Sequence, residues 1–296
     1  MGKVIFLLLL GLNSFIHAQE FPVLKGDYLG QKKPGIIPEV FAPGIITGYV
    51  HGRIAISPKG DEIYWVVNPS TERIVYSKLE NGIWTKPALA DFVKDFLSMN
   101  NGDITFSPDG GKLFFYSDRP GGKGSSDTWY VERTDSGWST PINVGEPYNS
   151  KDADFTPIFT KKGNAYHLGY NDKHEPLPFC YKYSNGKFSD PAPMDILPEY
   201  GPWWSLFVSP DEDYLIFAGG SDDADLYIRF KNNEGQWGTP INMGDKINTK
   251  QWERFPVVSP DGKYLFFTRG GSDISNLFWV STAIIDSLKK TVIKVK

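Results

Sequence analysis

The chain has 296 residues, a formal charge of −4, a single cysteine and an aromatic share of 15%. The acidic balance argues against a general nucleic-acid binder, and one cysteine excludes an internal disulfide. With 30 glycines and 22 prolines, the composition suits many short strands in one large all-β domain and leaves little room for long helices.

Residues 1–18 read as a secretory signal peptide. Lys3 supplies the positive start, Val4 to Leu12 the apolar run, and Ile16-His17-Ala18 a cleavage site near Ala18. The apolar run is too short to span a bilayer, and no cysteine near the cut offers a lipid anchor. A periplasmic or secreted protein is expected, acting as a monomer with no membrane span. Residues 19–296 then form one domain. Cys180, set among Phe179, Tyr181 and Tyr183, reads as a buried structural thiol.

From residue 54 onward one phrase recurs: Ile54-Ala55-Ile56-Ser57-Pro58-Lys59-Gly60, Ile104-Thr105-Phe106-Ser107-Pro108-Asp109-Gly110, Ile158-Phe159-Thr160-Lys161-Lys162-Gly163, Leu206-Phe207-Val208-Ser209-Pro210-Asp211-Glu212 and Val257-Val258-Ser259-Pro260-Asp261-Gly262. The landmark Ser or Thr recurs at intervals of 50, 53, 49 and 50. A period near fifty, built from short apolar runs, predicts a β-propeller with one four-stranded blade per repeat. In the first unit strand A spans Arg53 to Ser57, B Glu62 to Val67, C Arg73 to Leu79 and D Trp84 to Leu89. The phrase itself is a tight A–B turn: Pro presets φ, Asp accepts from the following backbone, and Gly takes positive φ. A second phrase, Trp138-Ser139-Thr140-Pro141-Ile142-Asn143-Val144-Gly145 and Trp237-Gly238-Thr239-Pro240-Ile241-Asn242-Met243-Gly244, marks strand D, with its Trp as a packing anchor between blades.

The fifth unit lacks that D-strand phrase. Residues 36–46 read as the missing strand, closing the ring from the N-terminus and covering the open edge. Counting A strands predicts five blades, or six if residues 19–35 and 282–296 contribute more. Only the tail 282–290 looks helical.

The Ser-Pro-Asp-Gly-Lys phrases, together with Ser117-Asp118-Arg119-Pro120-Gly121-Gly122 and Asp127-Thr128-Trp129-Tyr130, resemble the WD-repeat-like propellers of the Tol periplasmic type over roughly residues 45–282. The resemblance implies the fold and is nearly silent on function. The opening stretch, Tyr28-Leu29-Gly30-Gln31 through Pro38 to Gly44, resembles secreted propellers found with polysaccharide-degrading systems, which implies a carbohydrate setting by association.

In a propeller the starts of the A strands and the ends of the B strands converge on one mouth, where ligands bind. The first ring holds His51 and Arg53, Asn101 and Asp103, Asp152, Asp154 and Thr156, Trp203, Trp204 and Ser205, and Trp252, Glu253 and Arg254. The second adds Asn68, Arg119, Tyr170-Asn171-Asp172, Ser221 and Arg269. Each has a structural alternative. Asp103, Asp154 and Glu253 can cap backbone amides, Arg119 can order its loop, Trp203 and Trp204 can pack on a neighbouring blade, His167 can sit within sheet packing, and His174 falls in a charged loop.

Arginines suit a carboxylate or sulfate, and indole faces suit sugar rings. An acidic oligosaccharide containing uronate meets both, and β-elimination needs no nucleophile. In that reading His51 is the general base or acid, Arg53 and Arg254 clamp the carboxylate and Tyr170 is a proton donor. Arg119, Arg269, Trp203, Trp204, Asp103, Asp154 and Glu253 bind substrate. The alternatives are a propeller glycosidase using Asp103, Asp154 and Glu253 as its carboxylates, or a non-catalytic binding or scaffolding propeller. No P-loop, His-x-x-x-His, CxxC or Gly-x-Ser-x-Gly motif is present, and no cofactor is expected. A divalent cation at Asp152-Ala153-Asp154 is weakly suggested.

Overall fold

The computed structural model describes residues 21–67, 70–170, 173, 176–194, 205–220, 224–271 and 274–294. Five antiparallel sheets follow one another in the chain, one per repeat. The chain is therefore a five-bladed β-propeller. In blade one, Ala55–Ile56, Glu62–Val67 and Arg73–Glu80 pair in order, with Ile83–Trp84 and Ala88–Leu89 on the outer edge. Blade two pairs Asn101–Phe106, Lys112–Ser117 and Asp127–Thr134, and blade three pairs Ile158–Phe159, Asn164–Tyr170 and Pro176–Ser184. Ser205–Val208, Tyr214–Gly219 and Asp225–Phe230 build blade four.

The turn chemistry follows the repeat. Ser57, Ser107 and Ser259 donate to Asp61, Asp109 and Asp261 at 2.7, 2.6 and 2.7 Å. Gly60, Gly110 and Gly262 take the positive φ that closes each turn. Glu212 stands where the other turns have glycine, at φ 56. It is held by Thr160 and Asn164 at 2.8 and 2.6 Å. Trp138 does anchor blades: its Nε1 donates to Tyr64 of blade one at 2.9 Å.

Blade five holds Trp252–Val258, Tyr264–Gly270 and Ser275–Ser281, and Glu39–Val40 adds the fourth strand, with Glu39 opposite Trp279 and Val40 opposite Phe278. Phe41 is buried against Phe266 and Trp279, 5.1 and 5.0 Å between ring centroids. The same N-terminal segment also reaches blade one. The Trp84 indole donates to Gly26 O at 2.7 Å, and its amide to Leu24 O at 2.9 Å. Residues 21–46 thus join the first and last blades from both sides.

Two local features were not foreseen. A left-handed turn, with Tyr28, Leu29 and Gly30 at φ 53, 56 and 68, tucks Tyr28 against Tyr264. A 3-10 helix, Asp91–Phe96, leads into blade two. The helical tail is longer than expected, Ala283–Lys294, and buries Ile284 and Ile285 in the core of blades four and five. Cys180 is free and half-buried, a correction to the expected full burial. No helix among the described residues is long and apolar enough to cross a membrane. The signal peptide expected at 1–18 lies outside the described residues.

Candidate functional site at the channel mouth

Strand A enters blades two and five irregularly, and the irregularity bears on which side chains reach the channel. Four residues before the landmark stand Arg53, Asp103, Thr156, Ser205 and Phe255. Asp103 and Phe255 have φ 38 and 55, and the pairing register shifts beside both. Such bulges re-aim a side chain that a regular strand would send elsewhere.

Together this ring makes a waist across the channel. Arg53 Nε and Nη2 donate to the two Asp103 oxygens at 2.8 and 2.5 Å, and Nη2 also reaches Thr156 Oγ1 at 2.9 Å. Thr156 Oγ1 in turn donates to Asp103 Oδ2 at 2.9 Å, while Ser205 Oγ accepts from the Phe255 amide at 2.9 Å. Burial opposes both charges, yet the pairing outweighs it. Asp103 is held below the usual carboxylate range and Arg53 above its own. Arg53 is therefore buried and committed to Asp103. That is a correction to its expected role as a carboxylate clamp, and equally to Asp103 as a free substrate ligand.

Above the waist lies a cavity of about 260 Å³ lined by His51, Tyr116, Tyr170, Arg254 and Phe255, with Asp103 at its floor. His51 Nδ1 sits 2.5 Å from Glu72 Oε1, and Tyr116 donates to the other Glu72 oxygen. Glu72 is 5% exposed. A carboxylate at Nδ1 fixes the tautomer that carries its proton there and leaves Nε2 as the lone pair. Edge contact with Phe255 at 4.9 Å and stacking on Tyr49 at 6.0 Å hold the ring. Gly102 makes the arrangement sterically feasible, because a Cβ there would stand 2.2 Å from Glu72 Oε2.

Arg254 completes the cavity. Its guanidinium lies over Trp252 and Phe255 at 4.8 and 5.5 Å, its Nε is buried without a partner, and no carboxylate among the described residues pairs with it. His51, Arg254 and the part-exposed Tyr170 are thus brought together.

Other expected residues are not. Arg119 is buried between Phe96, Phe115 and Trp129, with Nη2 on Asn101 Oδ1 at 2.7 Å; burial lowers its pKa to about 10. Glu253 and Arg269 bind each other at 2.8 Å, and Arg269 Nη2 holds Ile247 O at 2.6 Å. Glu253 also caps Thr249, at 2.8 Å from its hydroxyl. Asp154 caps Ser150, whose amide lies 2.7 Å from Oδ2. The three acids of the glycosidase reading therefore occupy three separate hydrogen-bond networks. That is a correction to their use as one catalytic set. Among the described residues no group of three or more His, Cys, Asp or Glu could hold a metal ion. Trp203, Trp204, Asn68, Asn171, Asp172, His174 and Ser221 lie outside the described residues.

Sequence reading missed Glu72 and Tyr116. Only the start of the B–C loop, at Asn68, was counted at the mouth, which stops short of Glu72, and Tyr116 reads as one more strand aromatic. A usable signal was Arg73, which stands opposite Val67 where blades two and four carry Asp127 and Asp225. The repeat is broken there, beside Glu72.

No protein-family model matches the sequence, and no curated protein does. Solved structures do match. A TolB-type protein from Agrobacterium tumefaciens, labelled putative TolB, aligns at 16% identity and TM-score 0.51 over 78% of this chain and 76% of that one. The likeness is one of fold. TolB from Acinetobacter baumannii follows at 12% identity and TM-score 0.49, over 78% of this chain but only 54% of its own length. An oligogalacturonate lyase from Vibrio parahaemolyticus aligns at 12% and 0.44 over 79% and 66%, too loosely to bear on chemistry. The likeness extends to the β-propeller scaffold alone, and the residues at the mouth carry the chemistry.

Proposed function

We propose that the mouth cavity takes the carboxylate of a uronate-containing oligosaccharide and that His51 performs β-elimination on it, in a periplasmic or secreted setting. One observation carries the reading. An arginine without an acid partner among the described residues faces the same cavity as a histidine anchored through Nδ1 by a buried carboxylate.

Arg254 would neutralise the sugar carboxylate and so acidify the adjacent C5 proton. His51 Nε2 takes that proton, the C5–H electrons form the C4–C5 double bond, and the C4 oxygen leaves with a proton from Tyr170. If the C4 oxygen is glycosidic the products are a shortened chain and an unsaturated uronate. If it is a free hydroxyl, water is lost.

Incubation with acidic oligosaccharides tests this by ultraviolet absorbance of the conjugated double bond and by product mass. His51→Ala should abolish the absorbance, and Arg254→Ala should raise KM sharply. Should ligand bind in an Arg254-dependent way with no new product, the mouth belongs to a binding propeller instead. Products that gain water would identify a hydrolase.

A further inference from the structure

Blades two, three and five share a pair of positions on the mouth side, six residues before the landmark and ten after it. Blade two fills them with Asn101 and Ser117, hydrogen-bonded at 2.9 Å. Blade five has Glu253 and Arg269, joined at 2.8 Å. Blade three has Asp154 and Tyr170, and no hydrogen bond or ion pair joins them. Asp154 is 2% exposed. Its Oδ2 accepts from the Ser150 amide and hydroxyl, and Oδ1 has no hydrogen-bond partner among the described residues.

Where blade five has its arginine, blade three has a cavity of about 340 Å³. His167 faces it from strand B. Its Nδ1 lies 3.2 Å from Phe155 O, so the proton sits on Nδ1 and Nε2 is a bare acceptor. Burial pulls the imidazole pKa down to about 4, so the ring is neutral. Gly169 leaves the space beside it, since a Cβ there would come within 2.6 Å of Nε2. Much of the lining is apolar: Phe179 stands opposite His167 on one side and Pro193 on the other. Among the described residues no lysine or arginine lines the cavity.

We infer that this cavity is a second ligand site, built for an uncharged hydroxylated ring of sugar size. Ring hydroxyls donate to Asp154 Oδ1 and His167 Nε2, and the C–H faces lie on Phe179, Tyr181 and the prolines. An anion would find no lysine or arginine among the described lining residues to balance its charge. The site adjoins the mouth through Tyr170, which lines both cavities, but it does not depend on the chemistry proposed there.

The test uses methyl glycosides of glucose, galactose, mannose and xylose as neutral probes, with the His167 ring protons followed by NMR. At least one probe should shift the His167 signal saturably, and glucuronate should do so more weakly. Pro191 lines the cavity and is solvent-exposed, so Pro191→Arg should fold normally and weaken binding about tenfold or more. A His167 signal unmoved by all four probes overturns the inference. So does a shift that Pro191→Arg leaves intact, or preferred binding of glucuronate or glucosamine. None of these probes carries a leaving group next to an activated proton except glucuronate, so failure of elimination at the mouth leaves this outcome unaffected.

Discussion

Asp154 illustrates how one residue's surroundings become a measurable property. Burial, with Asp127 and Asp152 nearby, lifts its pKa from 3.8 to about 7 against the Ser150 hydrogen bonds. The folded protein therefore holds a proton that the unfolded chain releases between those values, and this contribution to stability is lost as pH rises through 7. His167, lowered to about 4, acts oppositely: its contribution is lost as pH falls. Asp154→Asn keeps an oxygen for the Ser150 amide and removes the titration. Its melting temperature should match the parent near pH 4 and exceed it increasingly toward neutrality, measured by calorimetry at several pH values. Equal curves for the two proteins would falsify the burial argument. At the mouth, Glu72→Gln keeps the shape but loses the charge behind His51. Turnover should fall about 100-fold or more with KM little changed, whereas a merely structural Glu72 would lower stability and leave turnover per folded molecule intact.

At the scale of the element, the bulged entry of strand A matters most. Regular strands in blades two and five would turn Asp103 and Phe255 off the channel. Their positive φ values cost strain that the waist network offsets. Breaking that network from one side leaves a buried charge alone, so Asp103→Ala or Arg53→Ala should each cost about 3–5 kcal/mol, read from urea denaturation. The double variant should cost clearly less than the two losses added together. The N-terminal strand is the second decisive element. Phe41→Ala removes a ring packed between Phe266 and Trp279 and should cost about 3–5 kcal/mol, although it lies more than two hundred residues from those partners in the chain.

Across the whole molecule, the Arg53–Asp103–Thr156 waist divides the axis into two compartments. The mouth cavity lies on one side. On the other is a cavity of about 320 Å³ lined by Ile56, Pro58, Phe106, Pro108 and Lys161 among the A–B turns. The two faces should act independently. Lys161→Glu, at an exposed position paired with Asp211, should leave affinity for an acidic oligosaccharide unchanged in calorimetric titration. Arg254→Glu should abolish that affinity. Comparable losses from both would mean that ligand recognition runs through the channel rather than at one mouth.

The five-fold architecture, the A–B turns, the Trp138 anchor and the closure by residues 36–46 were all legible in the chain. Each rests on local chemistry repeated every fifty residues, and period, turn residues and strand alternation are short-range properties. The sequence also supplied His51, Tyr170 and Arg254 as residues bound for one rim. It did not show which charges would neutralise each other. Arg53 reaches Asp103 through the bulge and left-handed backbone at Asp103, and Glu72 reaches His51 because Gly102 lacks a Cβ, whereas Glu253 and Arg269 simply stand opposite each other on neighbouring strands. The first two choices exist only once separate strands are packed, so tertiary structure decided that Arg254 faces the cavity with no acid partner among the described residues.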